Sequence, residues 1–403
     1  SAIHFGGFSA LCALTVNESR GVRQFTTRYW VNIALAITAA ITSAYLVLFE
    51  NALYARETEY ILSDYVFSIL GLGLAIEFTR RTSGWFMPIL ILISLSYILF
   101  LGRYISGIFS FPGLSLETVL YRSFFTSEGM FGMIANISAT FVFMFIVFGA
   151  FLLRSGAGDF MVRLARYLTG RVAGGAGQMS VIGSGLMGSV TGSAVANTVS
   201  IGVITIPMMK KSGFSSRFAA GVEAAASTGG ALMPPVMGAG AFVLASYTQI
   251  PFLTVIAASA LPALLYFLTV SFFVRIQAKR LGLKPTTADD AEKFSTILKE
   301  GWHFIIPLAT LVGFLVAGST PTSSAAFAII SVIAGSWLST KPMSLRDIFD
   351  ATVDGVQNMV ATALLLVAVG IVVNVVTTTG VGNAFSLMIV EWAQGSLLIT
   401  LVL

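Results

Sequence analysis

The chain has 403 residues, of which 56% are hydrophobic and only 10% charged, and its mean hydropathy is +0.89. Soluble domains carry about 25% charged residues, so a water-soluble enzyme is excluded, and the formal charge of +5 marks loops between apolar runs and no nucleic-acid partner. One cysteine, Cys12, and two histidines, His4 and His303, leave no internal disulfide and no Cys/His metal cluster.

Crossing about 30 Å of hydrocarbon takes roughly 20 apolar residues. Runs of that kind fall at residues 3–16, 30–49, 61–78 and 86–101, the first of them short. Further runs follow at 129–153, 217–247, 252–274, 303–317, 323–338, 356–376 and 384–403. Trp30, Trp85, Trp302, Trp337 and Trp392 all stand near run ends, where amphipathic rings anchor at the membrane interface. The opening Ser1-Ala2-Ile3-His4 has neither an initiator Met nor a basic leader, and the sequence reads as a fragment.

Positive charge on the inner side orients the spans. Arg20, Arg23 and Arg28 follow the first run, whereas Glu50, Glu57 and Glu59 outnumber Arg56 after the second, so residue 1 is outside. Arg80 and Arg81, then Arg154, Arg163, Arg166 and Arg171, and then Lys210, Lys211 and Arg217 all fall inside. The uncharged segment between Arg171 and Lys210 therefore enters and leaves on one face, as a re-entrant hairpin over about residues 173–209. Its glycines and hydroxyl residues suit burial in protein and not contact with lipid. Residues 159–168 carry Phe160, Met161, Leu164 and Leu168 on one helical face and Arg163 and Arg166 opposite, and read as an interfacial helix.

The fifth run holds Phe148-Gly149-Ala150 and then Ser155-Gly156-Ala157-Gly158-Asp159-Phe160. A weak echo returns as Val369-Gly370-Ile371 and then Thr379-Gly380-Val381-Gly382-Asn383-Ala384-Phe385, with the opposite membrane direction, as in transporters built from inverted repeats. The hydrophilic stretch 275–301 is the natural connector. This divides the chain into 1–128, a four-span scaffold region with an outer connector; 129–274, a first repeat with the hairpin and a broken helix over about 217–247; the connector 275–301; and 302–403, an incomplete second repeat.

Two stretches carry the chemistry. The first is the hairpin tip, with Ser189, Thr191, Gly192, Ser193 and Asn197, where a helix start offers backbone N–H groups to an anion and a preceding helix end offers carbonyls to a cation. Close helix packing by small residues is the alternative there. The second is Ser227, Thr228, Gly229 and Gly230 followed by Pro234 and Pro235, inside a run too long for one straight crossing. Glycine and proline pairs in mid-membrane free carbonyls that must line a cavity or lie in protein. Glu223, one turn before Ser227, is an intramembrane carboxylate open to three readings: ion coordination, proton coupling, or a salt bridge to Arg217.

These residues closely resemble the large membrane subunit of tripartite ATP-independent periplasmic (TRAP) transporters, fused to the small membrane subunit. The resemblance rests on Thr126-Ser127-Glu128-Gly129, Ser155-Gly156-Ala157-Gly158-Asp159-Phe160, Gly192-Ser193-Ala194-Val195-Ala196-Asn197, Glu223 through Gly230, and Met233-Pro234-Pro235-Val236-Met237-Gly238. It implies an all-α polytopic inner-membrane protein of inverted repeats with a re-entrant hairpin and a broken helix, moving as an elevator. It implies sodium-driven uptake of an organic anion delivered by a periplasmic substrate-binding protein, with sodium as coupling ion, no cofactor and no enzymatic activity. The tip follows the fused type usually paired with binding proteins of the TAXI class, and the family's second hairpin is expected beyond Leu403. A binding-protein-independent carboxylate carrier is the rival reading, and a channel a weaker one. On the outer face, residues 103–128 are too apolar for an idle loop, and Phe109 and Tyr121 are candidates for docking the binding protein, with an interfacial helix on lipid as the alternative.

Overall fold

A computed structural model describes residues 1–19, 27–56, 59–170, 172–283, 293–339 and 342–402. Among them every regular element is helical: α1 Ala2–Ser19, α2 Thr27–Leu48, α3 Glu50–Arg56, α4 Leu62–Ser83, α5 Phe86–Leu99, α6 Leu116–Leu120 and α7 Met133–Ile137. The order continues with α8 Phe143–Leu152, α9 Gly158–Thr169, α10 Gly175–Thr191, α11 Ala194–Lys211, α12 Ser216–Gly230, α13 Ala239–Thr248 and α14 Phe252–Arg280. It closes with α15 Phe294–Gly301, α16 Ile305–Val316, α17 Pro321–Ser336, α18 Leu345–Thr379, α19 Val381–Ala393 and α20 Leu397–Val402. Six helical stretches among the described residues are long and apolar enough to cross a membrane: Thr27–Leu48, Leu62–Ser83, Met133–Thr169, Phe252–Arg280, Phe294–Val316 and Leu345–Thr379. All five tryptophans are exposed at or near helix ends, as interfacial anchors require.

The chain packs as two units, 1–139 with 359–403, and 140–358, which cut across the sequence-order segments. In the first unit α1 and α2 lie so close that a Cβ on Gly6 would meet Ser43 Oγ at 2.4 Å. Asp64, only 1% exposed, ties the start of α4 down by accepting from Tyr45 Oη at 2.6 Å, Ile61 N at 3.2 Å and Arg56 at 2.9 Å. The C-terminal half of α18 belongs here because its apolar face finds partners far upstream: Val375 packs with Ile98 and Val119. Among the outer-face residues Phe109 is half-buried, its carbonyl accepting from Tyr97 Oη at 2.6 Å, while Tyr104 is 84% exposed and Ile108 58%. Tyr121 lines a cavity of about 340 Å³ with Glu50, Tyr54 and Thr126.

In the second unit α8 passes into α9 through Gly156 at φ +102°, a backbone that L side chains rarely adopt. Gly380, the glycine at the matching position of the weak echo, belongs to the first unit and takes φ +72° between α18 and α19. Helix α9 buries Met161, Val162, Ala165 and Thr169, while Leu168 faces outward. The apolar face is therefore rotated from the sequence expectation, because α9 packs against both α10 and α15. Phe160 closes over Gly301, Arg163 Nη1 donates to Glu300 Oε2 at 2.7 Å, and Tyr167 stacks on Phe294.

Candidate functional site: hairpin tip and broken helix

Helices α10 and α11 form an antiparallel hairpin, with Gly183 facing Ile201 and Asn197 Nδ2 donating to the Ser184 carbonyl at 2.8 Å. Legs of 17 and 18 residues reach about 26 Å, most of a bilayer's apolar depth. Lys210 lies in the last turn of the second leg, which ends at Lys211. Arg171, the other end of the expected same-face pair, lies outside the described residues. The tip is a two-residue turn. Gly192 closes α10 in the left-handed region at φ +60°, its N–H donating to the Gly188 carbonyl at 2.9 Å. Ser193 then caps α11, its Oγ accepting from Ala196 N at 3.3 Å.

Opposite the tip the long run 217–247 is broken, as its glycine and proline pairs predict. Helix α12 stops at Gly230, and the N–H groups of Ala231, Leu232 and Met233 turn back tightly on the carbonyls of Thr228, Gly229 and Gly230 at 3.1, 2.9 and 3.1 Å. Pro234 and Pro235, joined by a cis peptide bond, have no N–H with which to continue the helix. Residues 231–238 run across to α13, pinned by Gly238 N to the Ala231 carbonyl at 2.7 Å.

Tip and break touch through backbone. Val236 N donates to the Ser189 carbonyl at 3.1 Å, and the Met237 carbonyl lies against Gly192 so closely that a Cβ there would meet it at 1.9 Å. Gly188 and Gly230 meet Cα to Cα, a Cβ on the first approaching the second at 2.2 Å. Asn197 is fully buried beside Gly230. With Nδ2 committed to the Ser184 carbonyl, its Oδ1 has no hydrogen-bond partner among the described residues. A buried acceptor without a donor costs about 1–3 kcal/mol, unless something outside the protein's own donors satisfies it.

Other expected site residues divide. Thr191 is buried, with its Oγ1 3.5 Å from Ser193 N, and Ser189 supplies its carbonyl while its hydroxyl bonds back to Leu186. Thr228 is exposed, and its hydroxyl returns to the Ala224 carbonyl at 2.8 Å, so its side chain points away from the junction. Gly229 is small because Tyr266 of α14 lies against it, a Cβ there meeting the ring at 2.3 Å. Ser227 turns its hydroxyl to Glu223 Oε1 at 3.1 Å.

Glu223 makes no salt bridge to Arg217, which is exposed at the start of α12. The carboxylate is fully buried and accepts instead from Ser180 Oγ at 2.7 Å, Ser184 Oγ at 3.2 Å, Ser227 Oγ and Thr205 Oγ1. Ser180, Thr205 and Met237 were not singled out as site residues in the sequence. The i, i+4 spacing of Ser180 with Ser184 on an uncharged helix is a signal for the first. Met237 entered the sequence reading only as part of the Met233 to Gly238 motif, and its φ is +60°.

A helical hairpin buried against an interrupted helix, with the backbone oxygens of Ser189 and Met237 at the contact, is irregular backbone of the kind a polytopic membrane protein tolerates only where protein or a cavity surrounds it. Residues 70–403 match the family model described as the tripartite ATP-independent periplasmic transporter, DctM component, and the chain belongs to that family. It is a family of transporter permeases, not of enzymes. The model begins within α4 and so overlaps the region read as small-subunit scaffold. Among similar proteins are the C4-dicarboxylate TRAP transporter large permease protein DctM of Rhodobacter capsulatus, 25% identical over 70% of this chain and 62% of its own length. The sialic acid TRAP transporter large permease protein SiaM of Vibrio cholerae is 26% identical over 61% of this chain and 57% of its own. The chain spans about half the length of the curated relatives it matches.

Proposed function

We propose that the full-length protein is the membrane component of a sodium-coupled secondary transporter. In this reading it takes up an organic carboxylate handed over by a periplasmic substrate-binding protein, of the TAXI class if the fused-subunit resemblance holds. The relatives named for C4-dicarboxylate and for sialic acid support a carboxylate substrate. Sodium is held where the tip, Thr191 to Ser193, meets the break after Ser227 to Gly230. The observation that carries this is Asn197, fully buried beside Gly230, whose Nδ2 is spent on the Ser184 carbonyl and whose Oδ1 has no donor among the described residues. Carbonyl, hydroxyl and amide oxygens with no carboxylate at the junction itself suit a hard monovalent ion better than a divalent one. The start of α11, whose Val195 is exposed, offers N–H groups to the substrate's carboxylate. Because tip and break are joined by backbone contacts, they move together, as an elevator-type mechanism requires.

Uptake of labelled carboxylate by proteoliposomes, with binding protein present, tests the reading. An inward sodium gradient should drive accumulation, and Asn197→Leu should abolish the sodium response. Equal uptake without a sodium gradient would remove the coupling ion, and full uptake without any binding protein would favour the independent carboxylate carrier.

A further inference from the structure

Glu223 sits one layer below the junction, at the meeting of three helices. Ser180 and Ser184 reach it from α10, Thr205 from α11, and Ser227 from its own helix α12. Gly202 of α11 makes room for it, since a Cβ there would stand 3.0 Å from the glutamate Cγ. Thr205 also lies 3.1 Å from the Ile201 carbonyl, but it has one proton and the carboxylate is the stronger acceptor. A buried carboxylate with no cation beside it persists only if its lone pairs are filled, so four hydroxyls are drawn inward from three helices at once.

Ser184 links this cage to the junction. Its hydroxyl donates to Glu223 Oε1 while its carbonyl accepts from Asn197 Nδ2. That second bond decides which end of the Asn197 amide is left free. We infer that Glu223 is a positioning residue: through Ser184 it holds Asn197 Nδ2 on the Ser184 carbonyl beside Gly230, so that Oδ1 is the amide atom left without a protein donor, and it holds both hairpin legs and the broken helix as one body. This deepens the sodium reading and rests on it. The carboxylate's negative charge is not what the junction uses. The four-hydroxyl cage is, and glutamine keeps it, since its carbonyl accepts from two hydroxyls and its NH2 donates to two others turned to accept.

The test measures sodium-dependent thermal stabilisation of the purified full-length protein, together with the sodium dependence of uptake. Glu223→Ala should raise the half-saturating sodium concentration by about ten-fold or more, the usual effect of removing a group that orients a metal ligand. Glu223→Gln should recover most of that loss, and in an Asn197→Ala background Glu223→Ala should add little, because the two act in one chain. If Glu223→Ala does not reach the membrane, Ser184→Ala replaces it, with a smaller shift in the same direction. A sodium response unchanged in Glu223→Ala or Ser184→Ala overturns the inference. So does Glu223→Gln proving as damaging as Glu223→Ala, since the charge would then couple the ion or a proton directly. A wild-type protein indifferent to sodium in both measurements overturns the underlying reading as well, and is thereby distinguished.

Discussion

Gly192→Ala is the sharpest single perturbation of the junction, because two independent costs fall on one atom. The backbone at φ +60° is left-handed, which costs a residue with a Cβ about 1–2 kcal/mol. The new Cβ would also stand 1.9 Å from the Met237 carbonyl oxygen, and reaching ordinary contact means a retreat of about 1.5 Å by one of two backbones. Overpacking of that kind costs about 1–3 kcal/mol. The tip–break contact is therefore destabilised by about 2–5 kcal/mol, which at roughly 1.4 kcal/mol per factor of ten lowers its population some thirty- to several thousand-fold. Sodium-driven uptake should collapse while the protein still reaches the membrane, since the cost falls on the contact and spares the helices. Gly221→Ala on α12 is the control, because nothing lies within 4 Å of its Cβ position. Gly192→Ala transporting like Gly221→Ala would refute the view that the tip and the break must touch.

Further outcomes follow from the geometry. With the buried Cys12 replaced, cysteines introduced at Val172 and Gly213, on either side of the hairpin, should both label from the cytoplasmic side, and opposite accessibility would dismantle the hairpin topology. Asn374 is 1% exposed and neither amide atom has a partner among the described residues, so Asn374→Leu should leave stability unchanged or raise it by about 1–2 kcal/mol. A clear fall in melting temperature would mean that the amide is satisfied by something bound. Charge substitutions at Tyr104 and Ile108 should impair uptake more than substitution at half-buried Phe109, with the binding protein's own substrate affinity unchanged, if this face docks that partner. Unaltered uptake in both would favour a segment lying on lipid.

Apolar run length and the placement of charge sufficed for a membrane protein of many helices, because lipid leaves the backbone few other solutions. The break after Gly230 was legible for a local reason: two glycines and two prolines cannot continue a helix in any surroundings. The tip was legible through Gly192 and Ser193, whose backbone and side-chain preferences end one helix and start the next. What Glu223 binds was not legible. Three of its four partners lie 18 to 43 residues away on other helices, and no local preference distinguishes a hydroxyl cage from an ion pair with Arg217. The face of α9, the outward turn of Thr228 and the free oxygen of Asn197 were settled in the same way, by which neighbour the packed helices brought within reach. Local sequence fixes where a helix starts and stops, because those costs are paid within a few residues. Which polar atom is satisfied, and which is left without a partner, depends on three helices meeting, and only the tertiary structure decides it.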